Sequence, residues 1–183
     1  MLNLKLSSTD GRTLDFLNQN PSISQSLLAE SGHDIGRVST IIRPVLEAPS
    51  RCEISSYYIQ AVTTGRTAFL TTNLPELRTA HVTEAASGWL IGRSPNCAIA
   101  VEDPSISRCH AVIGHRPNQG FYIIDVGSSN GTFVNGSRLV AMEQHLLQDG
   151  DLIKLSHTCV EFFVSGWKSP AEGFEDTEAG SPI

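Results

Sequence analysis

From residue 78 to residue 164, short apolar runs of five or six residues alternate with clusters of turn formers. The pattern predicts strands over RTAHVT (78–83), GWLIG (88–92), CAIAV (97–101), CHAVI (109–113), GFYIID (120–125), GTFVN (131–135), DLIKL (151–155) and CVEFFV (159–164). The segments between them, SPN, EDPSIS, HRPNQG, VGSSN and NGS, are rich in Pro, Asn, Asp, Gly and Ser. Asn135-Gly136 is a two-residue hairpin signal, because both residue types tolerate positive φ. Gln148-Asp149-Gly150-Asp151 marks a second turn. No helical period interrupts this stretch, so the expected class is all-β, a sandwich of two antiparallel sheets.

Residues 1–75 follow a different pattern and read as an N-terminal extension, partly helical or irregular. Ser22 as N-cap, Gln25 three positions on and Gly32 as a stop predict a short helix. Ile35, Val38, Ile41, Ile42, Val45 and Leu46 recur at helical spacing, and Pro44 is expected to break or kink that helix. The runs ISSYYIQAV and RTAFLTT around Thr64-Gly65 suit a hairpin. The organisation expected is therefore an extension over 1–75, a β domain over 76–165 and an acidic, disordered tail over 166–183.

Composition narrows the function classes. Of 183 residues, 40% are hydrophobic, enough for a packed core, and the formal charge is −6. Lys and Arg against Asp and Glu number 6 and 6 in 1–75, 6 and 9 in 76–164, and 1 and 4 in 165–183. No segment is a basic stripe, which argues against a nucleic-acid partner. The start, MLNLKLSSTD, lacks the apolar core of a secretory signal, and no run is long enough for a membrane span. Cys52, Cys97, Cys109 and Cys159 contain no C-x-x-C pair and read as reduced thiols of a cytoplasmic protein. The six histidines show no metal-ligand spacing, so neither metal nor cofactor is expected.

Three loop segments carry the chemistry. Arg93 follows Gly92 at a strand end, where its planar fork can make paired bonds to a phosphate. Ser107 and Arg108 precede the CHAVI strand and offer a hydroxyl, a backbone N–H and a second cation. Ser129 and Asn130 lie in the GSSNG turn, one donating to phosphate and the other pairing with a ligand's main chain. Gly127, Gly131 and Gly136 permit tight turns and close backbone approach. A phosphothreonine brings about −1.5 to −2 charge and three acceptor oxygens to such a set.

Gly92-Arg93, Ser107-Arg108-Cys109-His110 and Ser128-Ser129-Asn130-Gly131-Thr132-Phe133-Val134-Asn135-Gly136 resemble, in order and spacing, the signature of the forkhead-associated (FHA) domain. The resemblance covers about half of the chain. It implies an FHA-type β-sandwich that binds phosphothreonine peptides as a signalling adaptor in a Ser/Thr kinase pathway. Arg93, Ser107 and Ser129 would contact phosphate with Arg108 assisting, and Asn130 would hold the peptide backbone. His110 would brace the loops from behind, with Gly92, Gly131, Asn135 and Gly136 shaping them. The expected partner is a phosphothreonine-containing protein, with neither a membrane span nor nucleic acid involved.

Gly127–Gly131 also matches G-x-S-x-G, the nucleophile elbow of hydrolases, but that elbow runs strand, turn, helix. Here a strand and a second turn follow, so no catalytic residue and no enzyme activity are expected. The alternative is a structural scaffold in which the extension binds the partner and phosphate recognition is secondary or self-directed.

Overall fold

The computed structural model describes residues 8–76 and 80–166. Three helices come first: α1 (Ser8–Gln19), α2 (Pro21–Ser31) and α3 (Ile35–Arg51). Strands β1 (Tyr58–Thr63), β2 (Ala68–Thr72), β3 (His81–Val82), β4 (Gly88–Gly92), β5 (Ile99–Ala100) and β6 (Ala111–Arg116) follow. The remainder are β7 (Gly120–Asp125), β8 (Thr132–Val134), β9 (Ser137–Arg138), β10 (His145–Leu146), β11 (Asp151–Leu155) and β12 (Thr158–Gly166).

The strands form two sheets, in orders β3-β2-β1-β12-β11-β8-β9 and β10-β7-β6-β4-β5. Their inner faces share one core that includes Ile59, Leu70, Trp89, Ile91, Ile113, Phe121, Ile153 and Phe162. The sandwich expected from the alternation is present. The expectation that both sheets are wholly antiparallel is corrected in detail, since β1 runs parallel to β12 and β4 parallel to β5. Period-two alternation reports which face a residue takes, not the direction of the neighbouring strand.

The first two strands join the sandwich. The hairpin around Thr64-Gly65 forms, with Thr63 opposite Ala68, and β1 pairs along its length with β12. The boundary expected at residue 75 thus falls two strands inside the seven-stranded sheet. Ile59, Ala61 and Leu70 face the sandwich core, while Val62 and Phe69 face the helices. Strands buried on both faces read as continuous apolar runs, which hides their alternation. The tail expected from residue 166 lies, beyond Gly166, outside the described residues, as do residues 78 and 79 of the first expected strand.

The helices form a third layer on β1 and β2, with Phe16, Leu17, Leu27, Val38, Ile41 and Ile42 packed on Val62 and Phe69. Asn20, not Ser22, occupies the N-cap position of α2, and Gly32 closes the helix in the left-handed region at φ 65°. Asp34 caps α3 by accepting from the Arg37 N–H at 3.2 Å. The expected break at Pro44 is not seen, for α3 continues through Pro44 and Pro49 to Arg51. A proline costs one helical hydrogen bond. Burial of Val38, Ile41, Ile42, Val45 and Ala48 on one face of the same helix offsets that loss.

Glu161 on β12 fastens the end of this layer. Its Oε1 accepts from the backbone N–H groups of Glu53, Ile54 and Ser55 at 2.9, 2.7 and 2.8 Å. Burial alone would raise its pKa, but the three N–H donors hold the carboxyl below its ordinary value. Glu161→Gln keeps an acceptor in place and removes the charge. The expected loss is about 1–2 kcal/mol of unfolding free energy, the difference between charged and neutral acceptors. Denaturant unfolding that matches the original protein would show that the charge contributes nothing there.

Candidate functional site

The loops at one end of the five-stranded sheet meet around an open cleft of about 490 Å³. Arg93, Pro104, Ser105, Ile106, Ser107, Arg108, Cys109, Gly127, Ser129 and Asn130 line it. Strand order explains the meeting. The end of β4 delivers Arg93, the segment leading into β6 delivers Ser107 and Arg108, and the turn leaving β7 delivers Ser129 and Asn130. All five predicted binding residues therefore converge.

Each is positioned from the backbone upward. The Arg93 N–H donates to Ser107 O at 2.9 Å and the Ser94 N–H to Arg108 O at 3.1 Å, so two loops zip together beside the cleft. Arg93 Nε donates to Ile106 O at 3.3 Å, which aims the guanidinium along the rim. The Ser129 N–H donates to Ser107 Oγ at 3.0 Å, and the two hydroxyl oxygens lie 3.5 Å apart. Asn130 Nδ2 donates to Ser105 O at 2.8 Å, bridging the loops across the cleft. Ser129, Asn130, Arg93 and Arg108 are exposed, and neither arginine pairs with a carboxylate among the described residues.

Behind the cleft sit buried groups that fix the loops. His110 Nδ1 accepts from the Ser107 N–H at 3.1 Å, which leaves Nε2 to donate to Gly131 O at 3.3 Å. Burial lowers its pKa, against the Gly131 carbonyl and the Asp125 charge, which act the other way. The neutral ring with hydrogen on Nε2 is the form that serves both bonds. Asp125 accepts from the Gly127 and Ser128 N–H groups, each at 2.8 Å, and from the hydroxyls of Ser128 (2.6 Å) and Thr132 (2.7 Å). Burial opposes its ionisation, yet these donors hold its pKa below the ordinary value. These bonds make Asp125 the anchor of the turn that carries Ser129 and Asn130.

Asp103 does the same for the neighbouring loop, accepting from Ser105 N–H at 2.8 Å and Ser105 Oγ at 2.7 Å. Sequence reading missed it, although Asp-Pro-Ser is a recognisable Asx-turn signal. Asn135 and Gly136, at φ 50° and 83°, make the hairpin between β8 and β9 and do not line the cleft. Asn135 also ties β11 to that hairpin through Asp151 Oδ1 and the Leu152 N–H, each at 2.9 Å. Gly131, at φ 85°, packs against the Arg138 guanidinium.

The Gly127–Gly131 segment runs into β8 rather than a helix, so it lacks the architecture of a nucleophile elbow. The four cysteines are free, and no metal-holding group of His, Cys, Asp or Glu occurs among the described residues.

The family model for the FHA domain matches residues 89–156. The chain carries an FHA domain. The matched span begins in β4 and ends after β11, so β1, β2, β3 and β12 of the sandwich lie outside it. Kanadaptin from Homo sapiens is 32% identical over 104 residues, covering 51% of this chain and 13% of that protein. The glycogen accumulation regulator GarA from Mycobacterium tuberculosis is 32% identical over 91 residues, covering 50% of this chain and 51% of that one. The chain thus spans about half or less of these relatives. The N-terminal FHA domain of Rad53p from S. cerevisiae, solved in complex with a phosphothreonine peptide, is 30% identical. It covers 36% of this chain and 53% of that one at a TM-score of 0.34.

The buried His110 gives the FHA domain a pH signature. A histidine whose folded pKa lies below its unfolded value of about 6.5 binds fewer protons folded than unfolded. Its stabilising contribution is complete above about pH 6.5 and is lost as pH falls toward the depressed folded value. His115, whose pKa burial also lowers, acts in the same window. The expected result is a melting temperature that declines as pH falls below about 6.5, with ring resonances of His110 titrating below that value. A His110 ring titrating at or above that value would contradict the buried neutral imidazole.

Proposed function

We propose that this protein is a phosphothreonine-dependent binding module, acting as a signalling adaptor that captures a phosphorylated protein in a Ser/Thr kinase pathway. The observation that carries the reading is the composition of the cleft. Two guanidinium groups and the Ser107 and Ser129 hydroxyls surround one open volume with no carboxylate in its lining. A dianion entering it would meet charge-assisted donors on several sides. In this reading Arg93, Ser107 and Ser129 bind the phosphate, Arg108 adds charge, and Asn130 pairs with the peptide main chain. His110, Gly92, Gly131, Asn135 and Gly136 hold the loops. A cytoplasmic setting suits the free thiols, and no helix among the described residues is long and apolar enough to cross a membrane.

Titration of the full chain with a phosphothreonine peptide library, against unphosphorylated and phosphoserine counterparts, tests the proposal. Phosphothreonine binding with no detectable affinity for the unphosphorylated set is expected. One methyl in a small apolar pocket should favour phosphothreonine over phosphoserine by about 10-fold or more. The absence of any phosphate-dependent binding would favour the scaffold alternative.

A further inference from the structure

Pro104 lines the phosphate cleft on one flank and, on the other, a smaller pocket of about 240 Å³. That volume falls below the about 300–1,000 Å³ of small-molecule sites, so it suits one long side chain rather than a whole ligand. Tyr57, Leu74, Val101 and Pro104 give it apolar walls, with Leu74 and Val101 buried. Tyr57, Leu74 and Thr158, which also lines it, stand outside the span 89–156 that the family model matches. The pocket's composition therefore does not follow from the family match.

Its charges are of one sign. Glu102 and Asp103 line it, and no Lys, Arg or His does. Glu102 is exposed and forms no ion pair among the described residues. Asp103 is a fixed charge, with Oδ1 bonded to the Ser105 hydroxyl and N–H and Oδ2 accepting from Thr158 Oγ1 at 3.3 Å. The Ser105 donors, and after them Thr158, hold its carboxyl below the ordinary value against burial. His157 acts on Asp103 in the same direction, but it is exposed and does not line the pocket. The phosphate cleft has the opposite make-up, two guanidinium groups and no carboxylate. One proline thus separates a cationic recess from an anionic one.

We propose that this pocket takes a lysine or arginine side chain of the phosphorylated partner, a few residues from the phosphothreonine. The proposal rests on the phosphothreonine reading above and adds a second requirement to it. In that reading Asn130 pairs with the ligand's main chain, and its Nδ2 bonds to the carbonyl of Ser105, next to Pro104. A chain held there lies beside the proline ridge. Ser107 and Pro104 are three positions apart in sequence, so they span at most about 11 Å, and an extended ligand advances about 3.3 Å per residue. The side chain that crosses Pro104 therefore belongs to a residue about two to four positions from the phosphothreonine. Its methylene stem lies on Tyr57 and Pro104 while its charged head meets the Glu102 carboxylate. An acidic side chain in the same place would face two like charges.

Calorimetric titration of the full chain tests this with phosphothreonine peptides of alanine background, in which a single arginine is moved through the flanking positions. Arginine at one position, about two to four residues from the phosphothreonine, should raise affinity about fivefold over the all-alanine peptide, the upper end for an exposed ion pair. Glutamate at that position should weaken binding. Glu102→Gln should erase the gain from arginine and leave the affinity for the all-alanine peptide unchanged. Glu143→Gln removes an exposed charge outside the pocket and should leave the gain intact. No gain at any position, an equal gain at every position, or a gain that survives Glu102→Gln overturns the proposal and leaves the phosphothreonine reading standing. Failure of every phosphorylated peptide to bind, the all-alanine one included, overturns that reading and the proposal with it.

Discussion

Arg93→Ala should abolish phosphopeptide binding while leaving the melting temperature within about 1 °C of the original protein. The side chain is exposed and its one hydrogen bond among the described residues is the 3.3 Å contact from Nε to Ile106 O, so little folding energy depends on it. Its effect on binding is large because it offers a fixed fork to a dianion in a cleft without carboxylates. Removing one member of a hydrogen-bonded charge pair costs about 2–5 kcal/mol, or roughly 30- to 4,000-fold in affinity. Arg93→Lys should recover only part of that, since it restores the charge without the fork. Arg108→Ala should cost less, because no hydrogen bond among the described residues fixes its guanidinium. Calorimetric titration with one phosphothreonine peptide measures all three. An Arg93→Ala protein that binds like the original would remove Arg93 from the site.

The site was legible because its residues are short-range signals. Gly92-Arg93, the segment from Ser107 to His110 and the GSSNG turn each announce a loop, and the strands between them announce a sandwich. The sequence could not show that these loops lie at one end of one sheet; that follows from the order β10-β7-β6-β4-β5, which is long-range pairing. The hidden supports were of the same kind. Glu161 looks like an ordinary polar position in a strand, and its role depends on three amides more than 100 residues away. β1 and β2 gave a hairpin signal but no sign of their partner, because a strand buried on both faces loses the alternation that marks one face as solvent-exposed. Pro44 pointed to a broken helix, and packing of α3 against Val62 and Phe69 overrode it.

Gly92→Ala should be damaging in both folding and binding, in contrast to Arg93→Ala one position on. Gly92 is not among the residues at positive φ, so its need for glycine is one of space rather than conformation. A Cβ there would lie 2.3 Å from the Arg108 carbonyl oxygen, 2.8 Å from its carbon and 3.0 Å from Ser107 O. All three are backbone atoms of the segment that crosses β4, so no side chain can swing aside. The segment must move by about the overlap, stretching the bonds from Arg93 N–H to Ser107 O and from Ser94 N–H to Arg108 O. Overpacking of this kind costs about 3 kcal/mol, which lowers the melting temperature of a domain this size by roughly 10 °C. Displacement of Ser107 and Arg93 by about 1 Å should also reduce phosphopeptide affinity by roughly a hundredfold. Gly127→Ala provides the comparison. At φ 87° with nothing within 4 Å of its Cβ, it meets only backbone strain of about 1–2 kcal/mol. Thermal melts and peptide titrations of the two variants separate the cases. If Gly92→Ala proves no worse than Gly127→Ala in either measurement, the close crossing of β4 by residues 107 and 108 does not set the geometry of the cradle.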